Sequence, residues 1–201
     1  MGTYMSAYIE VDYGRQATPF SDPVKVHSIT DGSFSFDKSY DVFDALAGGR
    51  YAQMAPEDRD SRAAPLIPAR GMPSPCSAAV GWDYFRLVAE PPHLPDPHFW
   101  ADYRVVSSHT AEEWLQHEHC HEAEFFQWFN CKPPGQTWRV VSAPGLYNAS
   151  WLTLHDLDAS LAHHGLNLET LPVQFRVLRS CLCLLVEEYG MDRVRLVVWF
   201  S

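Results

Sequence analysis

The stretch Pro172-Val173-Gln174-Phe175-Arg176-Val177-Leu178-Arg179-Ser180-Cys181-Leu182-Cys183-Leu184-Leu185-Val186-Glu187-Glu188-Tyr189-Gly190, followed after Met191-Asp192 by Arg193-Val194-Arg195-Leu196-Val197-Val198-Trp199-Phe200, decides the fold. Pro172 suits the first turn of a helix, because its missing N–H would have no intrahelical partner there. Gly190 stops that helix, since glycine adopts the left-handed backbone of a C-terminal cap without strain. From Cys181 to Val186 the helix is apolar nearly all round, which predicts burial. The run to Phe200 is rich in β-branched and aromatic residues and predicts a strand.

Working outward, Tyr8-Ile9-Glu10-Val11-Asp12-Tyr13 alternates apolar and polar residues and predicts a half-buried strand. Val24 to Ile29 alternates similarly, and Asp31-Gly32 after it is a turn signal. Tyr40 to Ala47 places Val42, Phe43 and Leu46 at helical spacing, with Gly48-Gly49 as the stop. Arg50 to Pro75 is proline-rich and predicts an ordered loop or tether. Ser77 to Val88 predicts a short helix with Val80, Tyr84 and Leu87 inward. Pro91, Pro92, Pro95 and Pro97 exclude regular structure between Glu90 and Pro97. Thr110-Ala111-Glu112-Glu113 is a capping box that opens a helix to Phe129, and Trp138 to Val141 is a short strand. Thr153-Leu154-His155-Asp156 opens a further helix that ends at Gly165. The expected architecture is one α+β domain over residues 1–201. Its first and last strands share a sheet, the long C-terminal helix is buried across it, and a helical lobe is inserted at about 91–145.

The chain of 201 residues is 46% hydrophobic and 13% aromatic, enough for a well-filled core, so whole-chain disorder is excluded. The net charge of −10 disfavours direct contact with nucleic-acid phosphate. It favours solubility, a partner with a basic surface, or an acidic decoy for a nucleic-acid-binding protein. No apolar run approaches bilayer-spanning length, so no membrane association is expected. The first thirteen residues do not read as a signal peptide, and five cysteines without a C-x-x-C pair fit a reducing compartment. Asn148-Ala149-Ser150 matches a glycosylation acceptor and is read as coincidence.

The clearest chemical motif is His117-Glu118-His119-Cys120-His121, which contains H-E-x-x-H. On a helix, His117 and His121 share one face and can ligate one zinc, while Glu118 serves as base toward a metal-bound water. Random order would produce the motif in roughly three of a hundred chains of this composition, so the pattern alone does not decide the matter. Glu122 and Glu124 charge its surroundings, and the third ligand must come from elsewhere, from among His155, His163, His164 or Glu169. His117, Cys120, His121 and Glu124 could instead hold a structural zinc. The remaining reading is a polar, histidine-rich surface facing solvent or a partner. Arg70-Gly71, in a proline-bounded loop, is a candidate anion-binding element. Cys181 and Cys183 are expected to be inert core thiols. No P-loop or G-x-G-x-x-G is present.

Several segments occur in an order that resembles a family of uncharacterised small proteins of tailed bacteriophages and prophages. They are the strand Tyr8 to Val11, the segment Ser39-Tyr40-Asp41-Val42-Phe43-Asp44-Ala45-Leu46-Ala47-Gly48-Gly49-Arg50 and the loop Pro68-Ala69-Arg70-Gly71-Met72-Pro73 with Ser77 after it. Tyr147 to Leu157, containing Ser150-Trp151-Leu152-Thr153-Leu154, and the final Val194 to Phe200 complete the set. The chain departs from that pattern at Tyr147-Asn148, where the family has His-Ser, and in the stretch from about Pro91 to Gly145, which has no counterpart. The resemblance implies a phage or prophage origin and a bacterial host cytoplasm as location, and carries no established activity.

The expectation is therefore an accessory protein that binds a host or phage macromolecule, with interference in a bacterial defence system as the specific form. Its contact residues would include Trp114, Trp128, Trp138 and Arg70. No cofactor is required for that role, and the sequence sets no oligomeric state. The alternative is a zinc-dependent hydrolase using His117, His121 and Glu118.

Overall fold

A computed structural model describes residues 4–13, 25–27, 39–48, 51, 56–59, 63–73, 76–77, 80, 83–89, 105–109, 138–142 and 146–201. The fold is α+β, and the chain forms two compact units. The first combines Met1–Pro73 with Tyr147–Ser201, and the second is Ser74–Leu146.

In the first unit, β1 (Met5–Val11), β2 (Lys25–His27), β6 (Tyr147–Leu152) and β7 (Val194–Phe200) form one antiparallel sheet in the order β2-β1-β7-β6. The two terminal strands pair along their whole length, from Met5 opposite Phe200 to Val11 opposite Val194. Beyond the strands the ladder continues, with Tyr4 N–H donating to Ser201 O at 2.9 Å and Ser201 N–H to Tyr4 O at 3.1 Å.

Among the described residues, three helices bear on this sheet: α1 (Tyr40–Ala47), α3 (Leu154–His163) and α4 (Val173–Tyr189). Met5, Ala7, Ile9 and Val11 of β1 alternate onto the helix-covered face, as do Val194, Leu196, Val198 and Phe200 of β7. Phe43 of α1 meets Phe200 at 5.5 Å between ring centroids and Phe175 of α4 at 6.3 Å. Each such large side chain, fully buried, stabilises the fold by roughly 1.5–3 kcal/mol.

The sheet's other face departs from the half-buried expectation. Tyr8, Glu10 and Asp12 are buried there, together with Arg195, Val197 and Trp199. Tyr8 and Trp199 stack at 5.2 Å. The polar residues of the alternation therefore mark a second buried layer instead of a solvated one.

The ends of the helices follow their local sequence. Gly48 takes φ +64° and caps α1, donating its N–H to Asp44 O at 2.9 Å. Thr153 and Asp156 form a complete capping box on α3. Pro172 precedes α4 and Gly190, at φ +97°, ends it. Burial of α4 is confined to one stripe, Phe175, Leu178 and Leu182. Leu184, inside the apolar Cys181–Val186 run, is 65% exposed, because a helix lying on one sheet presents only one side to it. Cys181 and Cys183 are free thiols, half-buried instead of sealed in the core.

Strand β6 has no clean alternation in the sequence, and the structure gives the reason. Its register with β7 shifts between Tyr147 and Ser150, where Asn148 adopts φ +47°. The Asn148 side-chain amide donates to Gly48 O at 2.8 Å, so the asparagine of the glycosylation-like triplet is tied to the end of α1.

Within the second unit, β3 (Phe85–Ala89), β4 (Val105–His109) and β5 (Trp138–Ser142) form an antiparallel sheet in the order β3-β5-β4. This corrects the helix expected over Ser77 to Val88. Helical backbone at 80 and 83–84 gives way at Phe85, where a run of β-formers gains ladder hydrogen bonds from β5. Strand β4 has no counterpart among the expected elements, whereas the strand expected from Trp138 is present. The expected helix over 110–129 lies outside the described residues. In the first unit, the proline-rich stretch after Arg50 holds a short helix, α2 (Pro56–Arg59).

Candidate functional site

The proline-bounded loop at 63–73 and the β6–α3 corner converge on Arg70. Gly71, at φ +80°, turns the loop so that its N–H donates to Ala149 O at 2.9 Å. The Arg70 N–H donates to Ser150 Oγ at 3.2 Å. These two contacts lay the loop against β6, a strand whose only neighbour in the sheet among the described residues is β7. Covering such a strand removes a template for unwanted pairing.

The Arg70 guanidinium then closes the corner. Nη1 donates to Trp151 O at 3.2 Å and to Asp156 Oδ2 at 2.7 Å, and Cζ lies 4.6 Å from the centre of the Trp151 ring. The planar cation stacks on the indole while bonding a carboxylate, a combination lysine does not reproduce. The same Asp156 Oδ2 accepts the Thr153 N–H at 3.0 Å, and Thr153 Oγ1 accepts the Asp156 N–H at 3.1 Å. Burial alone would raise the Asp156 carboxyl. The bonds from Arg70 and Thr153 and the charge of Arg70 outweigh it and hold the group below its ordinary value.

This geometry makes Arg70 a positioning residue that ties the loop, the strand and the start of α3 together. Ser150 and Thr153, the hydroxyl residues just before His155, have their side chains engaged by Arg70 and Asp156 respectively. Asp158 is bonded by Arg179 of α4 through Nε at 2.7 Å and Nη2 at 2.8 Å, a bidentate bridge between α3 and α4.

A second cluster sits at the far end of α3. Ser160 is fully buried, and Ser160 Oγ and His164 Nε2 have no hydrogen-bond partner among the described residues. Burial pushes the His164 imidazole down and neighbouring His163 adds to this, against smaller opposing effects of Asp44, the Ala64 backbone and Asp41. A buried ring nitrogen without a partner suits the neutral imidazole, since the cation would carry an unsatisfied charged N–H.

Two ion pairs, one buried and one part-buried, escape a reading of local motifs. Arg195 Nε donates to Glu10 Oε2 at 2.7 Å, and Arg193 Nη1 to Asp12 Oδ2 at 3.2 Å. The available signal is the matching of acidic residues at alternate positions of the first strand with basic residues at alternate positions of the last.

His117, Glu118, His121, Trp114 and Trp128 lie outside the described residues. Trp138 begins β5, in register with Ala89 of β3 and His109 of β4. Of the proposed third zinc ligands, His155 and His163 stand at opposite ends of α3, about 12 Å apart along its axis at 1.5 Å per residue. They cannot serve one metal together. Among the described residues, no group of three His, Cys, Asp or Glu side chains could hold a metal ion, and no helix is long and apolar enough to cross a membrane. Comparison with protein-family models, with curated proteins and with solved structures gives no match.

Proposed function

We propose that this protein is an accessory protein of a tailed phage or prophage that binds a host macromolecule and thereby interferes with a bacterial defence system. The observation that carries the reading is the division of the chain. It leaves the first unit after Pro73 and returns at Tyr147, and Ser74–Leu146 forms a compact unit between. Five of the seven tryptophans and six of the ten histidines fall in that intervening stretch, with nine acidic residues against four basic ones. Tryptophan is enriched where binding energy concentrates, and an acidic surface selects a basic partner and speeds its encounter. Apart from Ser77, the segments that resemble phage proteins all fall in the first unit. We accordingly assign the individual role to the second.

The test is capture from host lysate by the full chain, repeated with Trp114→Ala and Trp128→Ala. One reproducible partner, weakened by either substitution and by added salt, supports the proposal. Its specific form is tested by expressing the chain in a host that restricts a phage, where restored plaque formation is expected. No partner above background, together with unchanged restriction, sinks it. The zinc-hydrolase alternative rests on the H-E-x-x-H spacing. It requires one tightly held zinc in protein purified without a histidine tag, lost on His117→Ala, and metal-free protein of unchanged stability removes it.

A further inference from the structure

We infer that the outward face of α4 is a self-association surface that takes the same face of a second copy in antiparallel orientation. At 100° per residue, Val173, Ser180, Leu184 and Glu187 fall along the middle of that face, with Arg176 to one side and Val177 to the other. Val173, Val177 and Leu184 are 56%, 38% and 65% exposed, an aliphatic stripe on the side opposite the buried Phe175, Leu178 and Leu182. Ser180, near its centre, is small and bonds back to Arg176 O at 2.8 Å, so a second helix can approach closely there.

Charge selects the occupant and its direction. The N-terminal half of the face carries Arg176, since Arg179 beside it is taken up by Asp158, and the C-terminal half carries Glu187 and Glu188. Parallel pairing of two copies would set like charges together. Antiparallel pairing about a two-fold axis near Ser180 and Cys181 sets Val177 against Leu184 of the second copy and Arg176 against its Glu187. Both matches recur on the other side of the axis, as an isologous contact requires. A two-fold axis across antiparallel helices keeps each flank facing the same flank. Arg176 and Glu187 lie on one flank, and Val177 and Leu184 on the other, so both pairings form together. A shallow cavity of about 250 Å³ lined by Leu168, Glu169, Arg176, Arg179 and Ser180 borders the Arg176 half.

The surface is small. A helix of 17 residues is about 26 Å long, and one face of it buries less than the roughly 800 Å² per partner of a standard interface. A weak, micromolar dimer is therefore expected, opposed by the charge of −10 on each copy unless salt screens it. This surface is independent of the partner-binding role proposed for the second unit.

Sedimentation equilibrium of the full chain at physiological salt, from roughly 10 to 500 µM, reads the association directly. The mass is expected to rise from the 22.9 kDa monomer toward twice that value. Leu184→Glu, at an exposed site where the fold is not at risk, should weaken association at least about tenfold with an unchanged circular dichroism spectrum. Arg176→Glu and Glu187→Arg should each weaken it, and the double charge swap should recover it to within roughly threefold. A wild-type chain that stays monomeric throughout overturns the inference, as does a dimer indifferent to Leu184→Glu. A charge swap no better than the single variants overturns the antiparallel pairing.

Discussion

Arg195 stands directly opposite Glu10 across the β1–β7 ladder and holds its carboxylate with Nε at 2.7 Å, in a layer where Glu10 is fully buried and Arg195 is 6% exposed. A cross-strand pair sealed this way differs from a surface salt bridge. Water and salt do not screen it, and neither charge can be left alone without a large desolvation cost. The pair also fixes register, since a slip of one residue would put the two side chains on opposite faces of the sheet.

Breaking this pair from one side should cost about 3–5 kcal/mol, because the remaining charge stays buried and loses this partner. Glu10→Gln and Arg195→Met are each expected to lower the urea midpoint strongly, while the double variant loses far less than the sum of the two. A double-mutant cycle by equilibrium unfolding measures this. Additive single effects would show that the two side chains are not coupled.

The Arg70 clamp should be visible in the acid limb of stability. The folded Asp156 carboxyl titrates below its ordinary value of 3.8, so its contribution is fully present above 3.8 and is lost as pH falls through the lower folded value. Removing Arg70 removes much of what depresses that group. Arg70→Ala is therefore expected to destabilise the protein by about 1–2 kcal/mol near neutral pH, and by less once the carboxyl is protonated, allowing for partial exposure of the arginine. Arg70→Lys should recover only part of the loss. An Arg70→Ala penalty that stays constant down to strongly acid pH contradicts the clamp.

Gly48 marks a tighter constraint. Its φ of +64° lies in the left-handed region, and an added Cβ would come within 2.9 Å of Cγ of Pro65, a ring atom with little freedom to move. Gly48→Ala combines backbone strain with a clash and is expected to cost about 1–3 kcal/mol. Gly165→Ala, also at positive φ but with open space around it, should cost only the backbone part. Thermal unfolding of the two variants side by side separates the two effects, and equal losses would remove the steric contribution of Pro65.

Much of the described fold is legible in the sequence, and what is not has physical causes. Helix α1 and the capped start of α3 follow from short-range rules that tertiary context reinforces: Gly48 at a positive φ, and Thr153 with Asp156 three residues on. Strand β6 is hidden by the bulge at Asn148, which breaks the alternation that marks a strand. Strand β3 reads as helix because Val80, Tyr84 and Leu87 fit a helical spacing, while the partner that favours extension, β5, lies some fifty residues along the chain. Glu10 and Asp12 suggest solvent because an isolated strand gives no sign that Arg195 and Arg193 will lie opposite. At the candidate site, Arg70 is legible as a special position and its partners Trp151 and Asp156 are not. A contact across more than eighty residues leaves no local pattern.

The end of α3 provides the last prediction, a response near neutral pH. His164 is held below its ordinary value of 6.5, first by burial and then by the charge of His163. A histidine whose folded value is depressed binds protons more readily in the unfolded chain. Stability is thus unaffected by this group above 6.5 and falls as pH drops from 6.5 toward the lower folded value. Titration of the imidazole resonances by NMR should place His164 below 6.5. His164→Gln, which removes the proton-binding group but keeps a polar side chain, should flatten the pH dependence of unfolding in that window. A midpoint at or above 6.5 would mean that Asp44 and Asp41 outweigh burial, and the slope would then change sign.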